Sequence, residues 1–201
     1  MRTAPQKAHE WPSLAATAPL EEIVGGLAGR DLNATDTVGR TAVLIAAKAQ
    51  RHDVVAALIE AGADLNAQDN ISLNPFLWGC ISGDLELVRM TVEAGTDLTL
   101  VTRFGGAGIH PPAEKGHVDV VRYLAEETDV NVNLTNICGW TPLLEAIILQ
   151  DGGPVQQEIV ALLLDAGADP TMVDQWGVSP LEHARDKGFT EIADLLTAAQ
   201  G

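Results

Sequence analysis

Apolar and polar residues follow each other in this chain in a block that recurs about every 33 residues. One turn position of the block falls at Gly39, Ser72, Gly105, Gly139 and Gly177, with successive spacings of 33, 33, 34 and 38 residues. Repeats of this length are typical of solenoids, in which each unit buries its apolar face only against its neighbours. The pattern therefore predicts a stack of similar units, with a long water-facing surface that suits a macromolecular partner.

A first helix is predicted directly after each turn. Thr, Asn and Ser accept hydrogen bonds at helix N-caps, and proline fits the first helical turn, where the backbone N–H has no partner. Such residues open four of the five segments, three times with proline next. The segments begin Thr41-Ala-Val-Leu, Asn74-Pro-Phe-Leu, Ala107-Gly-Ile-His, Thr141-Pro-Leu-Leu and Ser179-Pro-Leu-Glu.

A second helix is predicted in every block from an apolar pair that continues with Leu or Ile at helical spacing. Glycine, which adopts positive φ cheaply, then closes this helix at Gly62, Gly95 and Gly167. The fold class expected is therefore all-α. The apolar pairs are Val54-Val55, Leu87-Val88, Val120-Val121, Ile159-Val160 and Ile192-Ala193.

This arrangement resembles the ankyrin repeat, whose template is a turn, a Thr-Pro-Leu-His helix, Gly-His, a paired-valine helix, Gly-Ala-Asp and a hairpin. Five copies keep the register from about Asp31 to Leu196. The resemblance implies an ankyrin-repeat solenoid of stacked helix pairs, with projecting hairpin loops over a concave groove. Departures at Gln50, Ser72 and Thr128-Asp129 replace template glycines and are expected to weaken single turns.

The predicted organisation is one domain of six helix pairs behind a frayed N-terminus at residues 1–10. Residues 11–33 read as a terminal helix pair without a hairpin, because Leu14-Ala15-Ala16 and Ile23-Val24 keep the eight-residue offset between helices. A polar last helix is expected to face water, as a terminal repeat requires. The five repeats are placed at about 34–66, 67–99, 100–133, 134–171 and 172–201.

Charge narrows the class of partner. The formal net charge is −16, and residues 134–201 hold ten acidic and two basic side chains. Phosphate neutralisation supplies most non-specific affinity for nucleic acid, so a nucleic-acid partner is not expected. A partner protein with a basic contact face would be attracted. The same acidity also keeps a repeat protein soluble, so charge alone does not decide between the two interpretations.

The rest of the composition indicates a cytoplasmic, monomeric protein that does not bind membranes. The sequence has no run of 18 apolar residues and no apolar N-terminal stretch of the kind a signal peptide needs. Two repeats separate Cys80 from Cys138, so a disulfide between them is not expected.

The candidates for chemistry are few. The resemblance implies that His110 ties neighbouring hairpins by a hydrogen bond, and that His117 is the inter-helix histidine. Glu145 and His183 stand at equivalent places in adjacent repeats and could face each other, but roughly 10 Å between helices is long for an acid–base or ligand pair. Gly105-Gly-Ala-Gly108 lacks the lysine and the strand of a phosphate loop. No catalytic residue, cofactor or metal is predicted.

The residues left free by the template are the candidates for partner contact. Loop tips are normally polar, so large apolar groups there suggest a contact patch, and tryptophan is enriched in binding hot spots. Neighbouring fingers could instead shield these side chains from water. The predicted partner-binding residues are Ile45, Ile71, Leu73, Trp78, Phe104, Trp140 and Trp176.

The function predicted is a non-catalytic protein–protein interaction module that uses its groove and hairpin tips. An alternative is a small-ligand or enzymatic site near Glu145, His183 and the loop at 150–154, where an excess of five residues separates the two helices of one repeat. Another alternative is a chaperone-like stabiliser of one partner enzyme. An enclosed polar pocket would favour a ligand, and a shallow open groove would favour a protein.

Overall fold

The structure is a computed structural model that describes residues 11–201. The segment 1–10, predicted to be frayed, lies outside the described residues. Within the described part the chain is helical, without named strands, and each predicted repeat holds a helix pair. The helices are α1 (Trp11–Leu14), α2 (Leu20–Gly26), α3 (Ala42–Lys48), α4 (His52–Glu60), α5 (Pro75–Ser82), α6 (Leu85–Glu93), α7 (His110–Lys115), α8 (Val118–Glu127), α9 (Pro142–Ile148), α10 (Pro154–Asp165), α11 (Pro180–Asp186) and α12 (Thr190–Ala199).

The predicted N-caps are confirmed in four repeats. The Thr141 hydroxyl accepts the N–H of Leu144 at 3.2 Å, and Thr41 and Asn74 do the same in their repeats. Ser179 forms a capping box with Glu182, in which each side chain accepts the other residue's backbone N–H. The remaining repeat has no such side chain, and α7 begins late, at His110, with only six residues.

The glycines predicted to end second helices do so in the left-handed conformation. Gly62, Gly95 and Gly167 have φ values of 86°, 85° and 86°. Where the third repeat has Thr128 instead, the residue is extended and its hydroxyl donates to the carbonyl of Leu124 at 2.6 Å. In this repeat a side-chain hydrogen bond therefore ends the second helix, whereas a left-handed glycine ends it in the other repeats named.

The chain forms two compact units. Unit 1 runs to Gly79 and adds Glu86–Asp97; unit 2 is Cys80–Leu85 with Leu98–Gly201. In unit 1, α3 packs on α1 and α4, and α2 packs on α4. In unit 2, α9 packs between α7 and α11, and α10 packs between α8 and α12. Unit 2 therefore has a layer of first helices and a layer of second helices.

The core of each unit is built from the predicted apolar pairs and from the first helices. Apart from Ala193, the residues of the apolar pairs are fully or almost fully buried, which is what a solenoid achieves when every helix is covered by its neighbours. In unit 1 the buried set includes Ile23, Leu44, Val54, Val55 and Leu58. In unit 2 the buried set includes Val121, Leu124, Leu143, Ile147, Ile159, Val160 and Ile192.

The hairpin tips all close by the same turn, which requires a left-handed residue. In the last repeat Asp174 N–H donates to Val178 O at 3.0 Å, and Gly177 N–H donates to Asp174 O at 3.0 Å. The left-handed position is glycine in four repeats and Ser72, with φ 61°, in the other. A side chain strains this conformation, which glycine adopts freely.

We expect Ser72→Gly to stabilise the protein by about 0.5–1 kcal/mol, because it removes the Cβ from a left-handed residue. The matched control is Gly39→Ala at the equivalent place, where a Cβ would lie 2.6 Å from Asn70 Oδ1 and should destabilise. Urea unfolding of both variants measures the change. A Ser72→Gly variant no more stable than the wild type would show that this turn carries no strain.

Candidate binding surface

In four of the five fingers, one side-chain oxygen at the start of the finger holds the turn in shape. In the last repeat, Asp174 Oδ1 accepts the N–H groups of Trp176 and Val178 at 2.9 and 3.0 Å. Asp36, Asp69 and Asn136 bind the equivalent pairs of N–H groups in their own fingers. Thr102 takes this place in the remaining finger, which is closed by its backbone bonds. The clamp fixes the residue at the tip in one orientation.

The fingers of unit 2 present large apolar side chains to water. Phe104, Ile137 and Trp176 expose 53%, 70% and 68% of their surface. Ile137 N–H donates to Phe104 O at 2.9 Å, so these two tips are adjacent. Phe104 and Trp176 belong to the predicted set. Ile137 does not, because it lies one residue before Cys138, which directly precedes the turn glycine as Phe104 and Trp176 do in their fingers. The presence of an isoleucine in a turn is the feature of the sequence that indicates Ile137 as a contact residue.

Of the predicted partner-binding residues in unit 1, some are exposed and others are buried. Ile71 is exposed at its tip, as is Val38 in the preceding finger. Ile45 and Leu73 are each only 7% exposed, and Ile45 lies in the hydrophobic core of the unit. Burial does not fit the expectation that Ile45 and Leu73 contact a partner.

Trp78, on α5, is half-buried and packs against the core of unit 1. The Lys48 ammonium lies 3.7 Å from the centroid of its ring, a cation–π contact. Burial lowers the pKa of Lys48, while the charge of Asp69 opposes that shift. One face of the Trp78 ring is thus already occupied within the chain, which leaves it less surface for a partner than the tips of unit 2 have.

Trp140 is half-buried and takes part in the hydrogen bond that the resemblance implied for His110. His110 Nε2 lies 3.2 Å from the carbonyl of Trp140; because a carbonyl only accepts, Nε2 carries the proton. Burial lowers the pKa of His110 to about 4, so the ring is neutral at pH 7. The indole N–H of Trp140 is buried without a hydrogen-bond partner. These features favour a structural role for Trp140 in its finger over the predicted contact with a partner.

Glu145 and His183 each bond to the residue that clamps the turn of its own finger. Asn136 Nδ2 donates to Glu145 Oε1 at 2.6 Å, and His183 Nε2 lies 2.8 Å from Asp174 Oδ2. The two residues could have faced each other as an acid–base couple, but each has a partner nine residues earlier. This arrangement makes an active site at Glu145 and His183 a weaker interpretation than a structural one.

Burial gives Glu145 an unusual acidity. The side chain is 8% exposed, and desolvation raises its pKa to about 7, helped by repulsion from Glu114 on α7 and opposed by the hydrogen bond from Asn136. Asp174 behaves in the opposite way. Burial disfavours its ionised form, but hydrogen bonds from Val178 N–H and His183 outweigh this and lower its pKa.

The loop at 150–154 is packed onto the next repeat. A Cβ at Gly152 would lie 2.4 Å from the ring of Phe189, and Gln157 Nε2 donates to the carbonyl of Gly152 at 3.0 Å. Part of the excess length extends the second helix, since α10 has 12 residues where α8 has 10. Left-handed glycine at 152, with φ 72°, is required by both the turn and the close approach of the ring.

Two open clefts of about 280 Å³ lie elsewhere, and neither contains Glu145 or His183. One, in unit 1, is lined by Gly62, Asp64 and Gly95, and the other, in unit 2, by Arg185 and Phe189 among others. In residues 11–201 no group of three or more His, Cys, Asp or Glu side chains is placed to hold a metal ion. None of the described helices is long and apolar enough to cross a membrane.

Comparison with known proteins identifies the family of this chain. The family model for ankyrin repeats in three copies matches residues 13–102, 76–174 and 109–201. The ankyrin repeat protein YahD of Escherichia coli K12 is 54% identical over 171 residues, which are 85% of each chain. The protein belongs to the ankyrin repeat family, and the repeats of this family are a general protein-interaction module.

Solved structures agree with the fold. A crystal structure of an ankyrin repeat domain from Acinetobacter baumannii AYE matches with a TM-score of 0.92 and 44% identity, covering 96% of this chain and 99% of that one. The ankyrin repeat protein EF0377 matches with a TM-score of 0.88 and 33% identity, covering 98% of both chains. The predicted all-α ankyrin solenoid is confirmed.

The raised pKa of Glu145 predicts how stability depends on pH. Between pH 4.5 and about 7 the folded chain holds a proton that the unfolded chain releases, so stability falls as pH rises through this range. At pH 8 the ionised, buried Glu145 costs about 3 kcal/mol. Glu145→Gln should remove this fall and raise stability at pH 8. Urea unfolding from pH 4.5 to 8.5 measures it, with the exposed Glu191→Gln as control; equal slopes in Glu145→Gln and wild type would contradict the assignment.

Proposed function

We propose that this protein is a non-catalytic module that binds a partner protein through the hairpin tips of unit 2. The observation that carries the proposal is the exposure of Phe104, Ile137 and Trp176, each more than half accessible at consecutive fingers. Scattered single apolar residues are ordinary on a surface, but a row at positions that are usually polar marks an interaction site. The clamps on the Ile137 and Trp176 fingers hold them in place before binding, which lowers the entropy lost on association.

The charge around these tips supports a basic contact face on the partner. Residues 134–201 carry a net charge of −8, and no Lys or Arg occurs between Arg122 and Arg185. Such a field attracts a basic protein surface and repels nucleic acid. Apolar tips surrounded by acidic groups fit a partner that offers an apolar patch with lysines or arginines around it. The protein is proposed to be monomeric and cytoplasmic.

The arrangement of Glu145 and His183 favours binding over catalysis. An acid–base couple needs groups within reach of one reacting atom, whereas here each is held by its own finger. The insertion at 150–154 packs on Phe189 of the next repeat. These contacts support the non-catalytic interpretation over a ligand site, and a stabiliser of one partner enzyme would use the same tips.

We expect the tips, and not the half-buried rings, to carry the binding energy. A photo-crosslinking residue placed at 137 or 176 should capture the same protein in cells of the source organism, and one at the exposed Val24 on α2 should not. Against that protein, purified, Trp176→Ala should weaken binding roughly 30-fold, which is about 2 kcal/mol, as expected of a hot spot. Calorimetric titration measures the affinity.

Thermal or urea unfolding of the same variants separates binding from folding. Trp176→Ala should change stability by less than about 0.5 kcal/mol, whereas Trp140→Ala should cost about 2–3 kcal/mol. Val24→Ser is the matched control for loss of an exposed apolar side chain. Wild-type affinity in both Trp176→Ala and Ile137→Ser would refute the proposed surface.

Salt should slow association if the partner face is basic. Steering by long-range charge acts mainly on the on-rate, and it is screened within about 10 Å at 0.1 M salt. The association rate, measured by stopped flow with the captured partner, should fall at least about tenfold between 50 and 500 mM salt. The off-rate should change less. An on-rate that does not depend on salt would show that charge does not steer association, and binding would then rest on the apolar tips only.

A further inference from the structure

The insertion at 150–154 has an exposed apolar side chain at each of its ends. Leu149, the C-cap of α9, and Val155, in the first turn of α10, are each 44% exposed. The other repeats have no large apolar residue at either place. Ten positions after each turn they carry Ala49, Ser82, Lys115 and Lys187, and four positions before each apolar pair they carry Gln50, Gly83, Gly116 and Gly188. The exposed pair is therefore a feature of the insertion and not of the repeat template.

Most of the basic residues of unit 2 lie beside this pair. The unit has five Lys and Arg residues. Arg122 is engaged in ion pairs, and Arg103 lies at a fingertip against the ring of Phe104. The other three are exposed at the C-terminal ends of α7 and α11 and form no ion pair with a described residue. They are Lys115, Arg185 and Lys187.

Contacts in the structure place the insertion between these cations. At one end Val155 packs on the residue that follows Lys115, since a Cβ at Gly116 would lie 3.1 Å from Val155 Cγ1. At the other end Gly152 packs on the ring of Phe189, in the loop between α11 and α12. The insertion thus contacts both loops that carry or adjoin the basic residues.

The cleft of unit 2 continues the same surface. Arg185 and Phe189 line it, and the Lys187 ammonium lies 5.5 Å from the centroid of the Phe189 ring, a cation–π contact. All these groups lie at the C-terminal ends of first helices, whereas the fingers precede the N-terminal ends of the same helices. We call this surface the inter-helix edge; it consists of Lys115, Leu149, Val155, Arg185, Lys187 and Phe189.

The insertion is held in shape within the chain. Asp151 Oδ1 accepts the N–H of Gly153 at 2.9 Å, and Gln157 Nε2 donates to the carbonyl of Gly152 at 3.0 Å. A surface that is ordered in the free protein loses less entropy on binding. The inter-helix edge therefore offers its two apolar side chains in a fixed arrangement.

We propose that the inter-helix edge is a second docking surface, and that its occupant is an acidic segment of a partner protein with apolar residues between its carboxylates. The apolar residues pack on Leu149 and Val155. The carboxylates pair with Lys115 on one side and with Arg185 and Lys187 on the other. Charge selects this occupant, because a basic segment would meet the three cations that have no ion pair in the chain.

The spacing of the helices sets the length of the segment. Both α7 and α11 pack on α9, so the two basic sides are about 20 Å apart at roughly 10 Å per helix. An extended chain covers that distance in about six residues. The segment therefore has acidic residues about six positions apart, and it differs from the basic face proposed for the partner of the tips.

Selection from a phage-displayed library of random peptides of about 16 residues tests the proposal on the full chain. Peptides are selected on the wild type at about 50 mM salt, where charge is weakly screened, and counter-selected on the Leu149→Ser, Val155→Ser double variant. The enriched peptides should carry apolar residues with Asp or Glu on both sides. If no peptide distinguishes the wild type from the double variant, or if the enriched peptides are basic or uncharged, the proposal is overturned.

Fluorescence anisotropy of the selected peptide assigns the apolar contacts. Leu149→Ser should weaken binding roughly tenfold, because the exposed part of the leucine is no longer buried by the peptide. Val24→Ser, which removes a similarly exposed apolar side chain from α2, should not change the affinity. The test needs neither the tips nor their partner, so its failure would leave the proposed function standing.

Charge variants test the choice of occupant separately. Lys115→Gln combined with Lys187→Gln should weaken peptide binding at least roughly tenfold and reduce its dependence on salt. Lysine at a helix C-terminus also favours the helix dipole, so Lys48→Gln in the last turn of α3 is the matched control and should not change the affinity. Asp151→Asn keeps an acceptor for Gly153 but removes a negative charge, and it should tighten binding roughly threefold. Wild-type affinity in the double lysine variant would overturn the proposal.

Sedimentation velocity of the wild type examines the other possible occupant, a second copy of this chain. The protein should sediment as a monomer. A dimer that the Leu149→Ser, Val155→Ser variant dissociates would assign the inter-helix edge to self-association and overturn the proposal.

Discussion

Four of the five fingers of this protein depend on one hydrogen-bonding arrangement, in which a side-chain oxygen of a clamp residue accepts two backbone N–H groups of its own turn. The turn would otherwise leave those N–H groups to water and its shape undefined. Because Asp36, Asp69, Asn136 and Asp174 supply this oxygen, the residues one and two positions later are held at the tip. A residue held there can be apolar and exposed without collapsing onto the fold, which is the condition for a preformed binding surface.

A second polar contact links successive repeats and explains how fingers stay in register. The side-chain oxygen of Asn33 accepts the N–H of Asp64 at 2.9 Å in the next repeat, and Asn133 does the same for Asp169 at 2.8 Å. Such contacts reach only the adjacent repeat, as expected for a solenoid whose stability is the sum of unit and nearest-neighbour terms. A weakened turn such as that at Ser72 is therefore a local defect that leaves the register intact.

The sequence predicts the fold well because the same N-cap, apolar and glycine positions recur in five repeats. N-caps at Thr41, Thr141 and Ser179 and the glycine helix ends follow from propensities that depend on neighbours in sequence. The exposure of a side chain does not follow from these propensities, because it depends on which residues of the next repeat lie beside it. Ile45 and Ile137 illustrate this, since one is covered by helices and the other projects from a turn.

The hydrogen-bond partner of Glu145 could not be predicted from the sequence either. The residue occupies a position equivalent to that of His183, which suggested a pair across adjacent helices. Its actual partner, Asn136, is set by the way the finger folds back over its own helix. A carboxylate that is buried at a cost in stability is a local exception to an otherwise consistent fold, and such exceptions concentrate at functional places.

The central claim is that the apolar surface offered to a partner lies at the tips of unit 2, and collisional quenching of tryptophan fluorescence tests it most directly. Four single-tryptophan variants, each with the other three rings replaced by phenylalanine, report the accessibility of each position to acrylamide. The structure predicts strong quenching for Trp176, intermediate quenching for the half-buried Trp78 and Trp140, and little for Trp11, which is buried. A Trp176 no more accessible than Trp140 would contradict the account.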